Sequence, residues 1–319
     1  MRLQRLPAAL YAREVLPLTA SLWAGRRSLD EYAAQTIELA RSTYGPRSYR
    51  TMGLYDGGRR VASFKWYERT VQHDSQRLKA VGFGAVFTPV EYRGRGYASL
   101  MLASALDLAR EHGHDVAYLF SDIRPQFYAD LGFSALPSRE LTLRAGALPA
   151  ERLELAPLSR EHWRGLRKCF ENGRRQTAAA FERSPSVWDW IAMRLAHASA
   201  QVCGQATHFI AKRRGEICAY VLGVRAPEKD AFLFDEFGWT ERASPGAIAA
   251  LLRAAAGDLR RVIGWLPPPA ARALLPAGLV RRRSRAILMM APLRAPGRRL
   301  IAAVQRSAHG DFCWRTDHI

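Results

Sequence analysis

The chain has 319 residues, of which 48% are hydrophobic and 24% charged, so its length allows one large domain or two ordinary ones. Its formal net charge is +19, but five of its 48 basic residues are lysine and the arginines are scattered among alanines. This distribution argues against nucleic-acid binding, which needs clustered cations, and no apolar segment is long enough to cross a membrane.

The most informative segment is an extended apolar run, 84–90, that leads into an arginine- and glycine-rich loop and then a helix. Gly94 and Gly96 lack the Cβ atoms that would keep a ligand off the backbone. The first turn of the next helix also has amide N–H groups without intrahelical partners. With the helix dipole and the neighbouring Arg93 and Arg95, the loop predicts an anion site, most simply for a pyrophosphate.

The residues after the loop predict one strand–helix–strand unit. Ala98, Leu102, Ala105 and Ala109 fall on one helical face, and Gly113 is a suitable end for that helix. The apolar run 116–121 predicts a buried parallel strand. A second, shorter helix is expected to begin at Pro125 and end by Gly132.

Two motifs in this region carry a family resemblance. The first is Arg93-Gly94-Arg95-Gly96-Tyr97-Ala98, and the second is Tyr128-Ala129-Asp130-Leu131-Gly132-Phe133. In this order, with one strand–helix–strand unit between them, they resemble the GNAT superfamily of acetyl-CoA-dependent N-acetyltransferases. The resemblance covers roughly residues 54–143 and implies a mixed α/β fold in which an amine attacks acetyl-CoA directly.

The resemblance also implies roles for individual residues. Tyr128 would protonate the leaving thiolate, since tyrosine, with a reference pKa near 10, is protonated at neutral pH; Tyr118 and Tyr92 are the fallback acids. The thioester carbonyl could accept from a backbone N–H near Phe87 or Thr88. The residues expected to bind acetyl-CoA are Val86, Phe87, Thr88, Arg93, Gly94, Arg95, Gly96, Tyr97, Ala98 and Ser99.

The general base is not identified by the sequence. Asp122 is one candidate, although starting a helix is the more common role of an aspartate at such a position. Other candidates are Glu68, His73 and Asp74. The last is the terminal carboxylate of Ile319, because the chain resembles tandem-GNAT acetyltransferases of the enhanced-intracellular-survival type, in which the terminal carboxylate acts as base. The sterol-carrier-like domain of those proteins would not fit in 319 residues, so a simple docked tail is the alternative.

The second half repeats the order of predicted elements in the first. A hairpin over 207–222, a strand over 231–234, a helix around Ile248 and strands over 262–266 and 286–290 predict a second GNAT-like fold. Residues 238–243 stand where the glycine loop would be, so this copy lacks the cofactor signature. We expect a catalytic domain over 1–146 with the acetyl-CoA site, a linker at 145–150, and a degenerate GNAT-like domain plus C-terminal tail over 151–319.

Several further expectations concern partners and surroundings. The acceptor is expected to be a primary amine of a small molecule or a lysine side chain, with no nucleic-acid or membrane partner and an open oligomeric state. The alternatives are an acyl-CoA sensor without turnover and, less well supported, a nucleic-acid-binding protein. Asp235 and Glu236 could meet a cationic amine or form a solvated strand end. Trp188 and Trp190 are expected at the domain interface, and Arg281–Arg285 on a solvated edge.

The cysteines and the N-terminus indicate the expected compartment. Cys169, Cys203, Cys218 and Cys313 form no Cys-x-x-Cys pair, which predicts neither a zinc site nor a disulfide framework. The N-terminal apolar stretch is broken by Arg13 and Glu14 and does not resemble a secretory signal. A reducing cytoplasm fits both observations.

Overall fold

The computed structural model describes residues 1–197, 204–307 and 311–319; Cys203 lies outside them. In chain order, the strands are β1 (Arg2–Leu6), β2 (Tyr49–Asp56), β3 (Arg59–His73), β4 (Gln76–Phe87), β5 (Val116–Ser121), β6 (Ser134–Ala135), β7 (Arg139–Arg144), β8 (Glu154–Pro157), β9 (Ala179–Phe181), β10 (Gln205–Arg213), β11 (Glu216–Ala226), β12 (Ala231–Trp239), β13 (Arg261–Trp265), β14 (Leu279–Arg282) and β15 (Ile287–Pro292).

The α-helices are α1 (Ala8–Glu14), α2 (Leu16–Trp23), α3 (Leu29–Arg41), α4 (Gly45–Ser48), α5 (Tyr97–Glu111), α6 (Pro125–Ala129), α7 (Trp163–Arg175), α8 (Pro185–Ala196), α9 (Ala247–Ala256), α10 (Pro269–Arg272) and α11 (Ala295–Gln305). Short 3-10 turns connect some of them, including one at Val90–Tyr92 and one at Arg315–Asp317.

The strands form two mixed sheets of similar design. The first has the order β1-β2-β3-β4-β5-β15-β6, with β9 paired to β3, and the second has the order β14-β7-β13-β12-β11-β10-β8. Each contains one parallel pair, β4 with β5 and β12 with β13, and each pair is joined through one helix, α5 or α9. This arrangement confirms the mixed α/β architecture with two GNAT-like units.

The two sheets exchange strands, so the boundary expected at 146–151 does not separate them. β7, from the first half of the chain, pairs with β13 and β14 in the second sheet. β15, from the second half, pairs with β5 and β6 in the first sheet. Local periodicity identified both segments as strands, but it contains no information about which edge each one joins.

The helix after the glycine loop packs as its periodicity predicts. Met101, Leu102, Ala105, Leu106 and Ala109 of α5 are buried. They meet a cluster of aromatic side chains on the first sheet that includes Phe64, Trp66 and Phe83. Burying this face fixes where α5 begins, and therefore where the glycine loop lies relative to β4.

Aromatic packing joins the two halves of the chain. Trp190 stacks on Tyr44 with ring centroids 5.2 Å apart, which confirms the expected interface position for Trp190. Trp188 instead packs within the second half, edge-on to Phe170 at 5.2 Å. The expected interface position was therefore wrong for Trp188.

The remaining surface expectations concern the arginine run, the thiols and membrane spanning. β14, which carries Arg281 and Arg282, is a fully exposed edge strand of the second sheet, as expected. Cys169, Cys218 and Cys313 are buried free thiols. Within the described ranges, no helix combines the length and apolarity needed to cross a membrane.

Candidate active site

A bulge in β4 opens the first sheet beside the predicted cofactor segment. Lys65 of β3 pairs with Gly84 while Ser63 pairs with Phe87, so the register shifts between them. Ala85, inside the shift, has a φ of 48° in the left-handed region. β4 pairs with β5 only as far as Gly82 opposite Tyr118. Beyond that pair the two parallel strands separate and leave a gap into which an extended ligand could insert.

The glycine loop follows this gap and provides an anion site. Gly94 and Gly96 have φ values of 75° and 76°, and a Cβ atom at either would meet no heavy atom within 4 Å. Gly96 is the N-cap of α5 and no side chain caps the helix, so the first-turn amides face outward. A hydrogen bond stabilises the start of the loop: Nε of Arg93 donates to the Thr88 carbonyl at 3.1 Å.

Two hydroxyl groups near the loop differ in whether they already have a hydrogen-bond partner. The Tyr97 hydroxyl donates to Oδ2 of Asp56 at 3.0 Å, so it already has a partner. Oγ1 of Thr88 is buried and has no hydrogen-bond partner among the described residues. A buried hydroxyl without a partner is costly, and a pantetheine arm along β4 would satisfy it. The segment therefore fits an acyl-CoA.

A cavity of about 580 Å³ adjoins the bulge and is enclosed by both halves of the chain. Its walls come from the α2–α3 region, β3, the β4 bulge, the end of β5, α6, α8 and the C-terminal segment. Residues from these walls include Arg27, Lys65, Tyr67, Gly84, Asp122, Tyr128, Trp190, Arg194, Asp235, His318 and Ile319. The structure thus brings Tyr128 and Ile319 to one cavity.

Tyr128 lies on α6 as one of the cavity-lining residues, half-buried and packed edge-on to Phe127 and Phe133. Burial raises the pKa of its hydroxyl to about 12, and the carboxylate of Asp122 adds to the rise. A tyrosine with this pKa stays protonated throughout the neutral range, which suits a proton donor.

Ile319 lies against the glycines of β4. A Cβ atom at Gly82 would be 2.3 Å from Cδ1 of Ile319 and 2.8 Å from the Tyr118 hydroxyl. A Cβ atom at Gly84 would be 3.4 Å from the Ile319 carbonyl carbon and 3.6 Å from its oxygen. The C-terminal residue therefore packs against β4 next to the bulge, and at Gly82 this approach requires the absence of a side chain.

A buried ionic network holds the preceding residues of the tail. Arg183 donates to both carboxylate oxygens of Glu236, at 2.9 and 2.5 Å, and its Nη2 also reaches Oγ1 of Thr316 at 2.8 Å. Oδ1 of Asp317 accepts from Arg183 at 3.2 Å and from Arg69 at 3.0 Å. Two arginines and two carboxylates balance in charge, as burial of ions requires.

This network corrects one expectation about the second half. Glu236 is 0% exposed and bound to Arg183, so it is neither a solvated strand end nor free to meet an amine. Asp235 does line the cavity, but it forms an ion pair with Arg315 at 3.2 Å. β12 shifts register near these acids, as β4 does at its bulge, and there the tail packs against it through Trp314 and Phe237.

The other base and acid candidates are dispersed. Asp122 lines the cavity, where its Oδ1 accepts from the Ala286 amide at 2.9 Å. Glu68 binds His114 at 2.9 Å and lines a different cavity. His73 and Asp74 pair at the β3–β4 turn, away from the cavity. The Tyr118 hydroxyl is buried without a described partner, and Tyr92 packs on Tyr97.

Three features of the site were missed by sequence reasoning. The bulge at Ala85 has no sequence signal, but the glycines at 82 and 84, alternating within an apolar strand, indicate a close approach of another group. Lys65, inside the apolar run 61–67, is a signal for a buried charge. Nothing in the sequence around His318 indicated that this residue would line the site.

Comparison with known proteins agrees with the motifs. Residues 15–136 match the model of a family described as an acetyltransferase (GNAT) domain. A lysine acetyltransferase of Yarrowia lipolytica is 37% identical over 87 residues, which are 25% of this chain and 22% of that protein. The match spans only about a fifth of that curated relative.

Solved structures share the fold across most of the chain. A probable N-acyltransferase from Enterococcus faecalis V583 has a TM-score of 0.72 at 15% identity, covering 93% of this chain and 73% of its own. Eis1 from Mycobacterium abscessus has a TM-score of 0.60 at 14% identity, with 92% and 74% covered. A tandem GNAT protein from the clavulanic acid biosynthesis pathway has a TM-score of 0.51 at 14% identity, with 92% and 98% covered. The chain therefore contains a GNAT acetyltransferase domain within residues 15–136, and as a whole it has the fold of tandem GNAT proteins.

Proposed function

We propose that this protein transfers an acetyl group from acetyl-CoA to a primary amine of a small molecule or a lysine side chain by direct attack. The observation that carries the proposal is the convergence of the β4 bulge, Tyr128 and Ile319 on one cavity, whose lining reaches Val86 in the strand that leads to the glycine loop. The GNAT match supports acyl transfer from an acyl-CoA to an amine. The choice of acetyl and the role of each residue are our proposal.

Binding is assigned to the residues from the bulge to the first turn of α5. The backbone amides from Gly94 to Ser99 would hold the pyrophosphate, with Arg93, Arg95, Tyr97 and Ala98 around them. Val86 and Thr88 would pair with the pantetheine arm in the gap beyond Gly82 and Tyr118. An N–H near Phe87 or Thr88 would donate to the thioester carbonyl.

Proton transfer is assigned to two residues that line the cavity. The Tyr128 hydroxyl would donate its proton to the departing thiolate. The terminal carboxylate of Ile319 would take the proton of the attacking amine, directly or through a water, because its carbon lies beside Gly84 at the bulge. Asp122 is the other cavity-lining carboxylate near Tyr128 and is the fallback base.

The Tyr128→Phe variant tests the acid. Phenylalanine keeps the ring and its contacts with Phe127 and Phe133, so we expect acetyl-CoA affinity within about twofold of the parent. We expect kcat to fall roughly 100-fold, the usual contribution of one general acid. Calorimetry of acetyl-CoA binding and free-thiol release with a panel of amines measure both quantities.

Three outcomes would change the assignment. Equal kcat for the parent and Tyr128→Phe would remove Tyr128 from the mechanism. Acetyl-CoA binding without thiol release for any amine would favour a sensor that does not turn over. Absence of acetyl-CoA binding would remove the cofactor assignment itself. The Tyr55→Phe variant is the matched control, because Tyr55 is also half-buried but lies on β2 outside the cavity.

A further inference from the structure

Lys65 is a buried cation in the cavity wall, and no described residue forms an ion pair with it. It lies on β3 opposite Gly84, and only 8% of its surface is exposed. Within the described part of the chain its ammonium makes no hydrogen bond and no ion pair. It does make cation–π contacts with the rings of Tyr11 and Tyr32, whose centroids lie 5.5 and 5.6 Å from the nitrogen.

The ammonium remains charged at neutral pH despite its surroundings. Burial and, to a smaller extent, the neighbouring Arg27 guanidinium together lower the pKa of Lys65 to about 8. The protonated form still predominates at pH 7, so the cavity contains a charge with few polar partners. A buried ion in this condition is stabilised by any anion that reaches it.

Arg27 adds a second cation to the same end of the cavity. Its Nε and Nη2 donate to the carbonyls of Ala24 and Trp23 at 2.7 Å, and its guanidinium lies over the Tyr32 ring. These contacts fix the guanidinium in place without neutralising it. Its nearest acid is Glu31, which is exposed and bound in the N-terminal capping box of α3.

The carboxylates of the cavity lining are those of Asp122 and Asp235 and, on the proposed assignment, the terminal carboxylate of Ile319; among the described residues none forms an ion pair with Lys65 or Arg27. Asp235 is paired with Arg315, and Asp122 accepts from the Ala286 amide. Arg194, a further lining cation, donates to the backbone carbonyls of Thr316 and His318. In the described lining the four cations Arg27, Lys65, Arg194 and Arg315 therefore exceed the three carboxylates by one, and the unpaired Lys65 lies next to Gly84 on the neighbouring strand.

We propose that Lys65, with Arg27 behind it, forms an anion subsite and that the acceptor is a primary amine that also carries a carboxylate or phosphate. This inference rests on the proposed acetyl transfer for the amine end. Lys65 and Gly84 are cross-strand neighbours, and the Ile319 carbonyl carbon lies beside Gly84. A short ω-amino acid or aminoalkyl phosphate could therefore place its anion at Lys65 and its amine near the bulge.

A matched pair of acceptors tests the charge directly. With 6-aminohexanoate and 6-aminohexanamide, which differ in the carboxylate charge, we expect kcat/KM to favour the acid by roughly 10- to 100-fold, the effect of one charged hydrogen bond. Lys65→Met should reduce that ratio to about one. Lys168→Met, which removes an exposed lysine of α7 outside the cavity, should leave the ratio unchanged.

Binding of hexanoate keeps the subsite testable apart from catalysis. Hexanoate has the anion but no amine, and we expect calorimetric binding to the parent that Lys65→Arg keeps and Lys65→Met loses. If no amine supports thiol release but hexanoate still binds in this pattern, the acetyl-transfer proposal fails and the anion subsite stands. The pair 2-aminoethyl phosphate and ethanolamine distinguishes phosphate from carboxylate preference.

Three results would overturn the subsite. The first is a parent ratio near one for both acceptor pairs. The second is hexanoate binding that is unaffected by Lys65→Met. The third is acetylation of Lys65 itself on incubation with acetyl-CoA, detected by peptide mass spectrometry, since this would make the lysine an acceptor rather than a binding group.

Discussion

His318, the neighbour of Ile319, is kept neutral by its surroundings. Its ring packs on Phe120 and Trp265, with centroids 4.8 and 5.9 Å away. Burial, together with the guanidinium groups of Arg194, Arg315 and Arg283, lowers the pKa of His318 to about 3. Protonation would place a buried cation near these three guanidinium groups, so a charged ring would weaken the packing of the tail.

Acid should therefore weaken the fold through His318. In the unfolded chain its pKa is near 6.5, so the stability from a neutral buried ring is fully present above pH 6.5 and is lost as pH falls toward 3. The free energy of unfolding falls by at most about 1.4 kcal/mol per pH unit below pH 6.5, which is about 2 kcal/mol at pH 5.

Denaturant unfolding at pH 7 and pH 5 measures this effect. In His318→Phe, which keeps a ring in contact with Phe120 and Trp265, the drop in unfolding free energy between the two pH values should be smaller by about 2 kcal/mol. Identical drops in the parent and the variant would mean that His318 is not the group that titrates.

At the scale of elements, the C-terminal segment 311–319, here called the strap, contacts both sheets. Its 3-10 turn at Arg315–Asp317 is anchored by Arg183 and Arg69, and its last residue reaches β4. Breaking a buried pair of this type costs roughly 3–5 kcal/mol, so the anchor is strong enough to fix the position of Ile319. The strap thus connects the second half of the chain to the cavity of the first.

A single glycine added after Ile319 tests whether the carboxylate is the base. The anchored residues would stay in place while the carboxylate moved one residue further on. We expect kcat to fall roughly 100-fold, the lower range for one general base, with acetyl-CoA affinity within about twofold of the parent. Ile319→Val, which keeps a terminal carboxylate, should lose much less. Equal losses in the two variants would assign Ile319 a packing role only.

The elements of the first half were predictable because their signals are local. The strand at 116–121, the helix after Gly96 and the short helix at Pro125 follow from periodicity and from glycine and proline positions, and the structure has them within a few residues. The glycine loop was found for the same reason. The partners of β7 and β15 were not predictable, because strand pairing joins residues far apart in sequence.

The cavity shows the same division between local and non-local information. Tyr128 was located by its spacing to Gly132 and Phe133, which is local. The isolation of Lys65 depends on Tyr11, Tyr32 and Arg27, which come from other elements. A sequence can indicate that a lysine is buried, but only the fold shows that it has no ion-pair partner among the described residues.

For the whole molecule, the exchange of β7 and β15 makes the two halves depend on each other. Without residues 284–319, β5 would lose its antiparallel partner β15, and Leu119 would lose contact with the strand that covers it. Without residues 139–144, β13 would become an edge, and Leu141 and Leu143 would leave the core of the second sheet. An open apolar edge favours aggregation over folding.

Fragments 1–150 and 151–319 should therefore fail to fold separately. We expect each alone to lack a cooperative thermal transition and the near-ultraviolet circular dichroism of packed aromatics, and we expect the two mixed together to regain both. The intact chain should unfold in one transition, with tryptophan fluorescence and far-ultraviolet circular dichroism giving the same midpoint. A fragment 1–150 that unfolds cooperatively and binds acetyl-CoA with the affinity of the intact chain would contradict this dependence. It would also show that β15 and the tail are not needed to shape the cofactor site, which the position of Ile319 against Gly82 and Gly84 argues against.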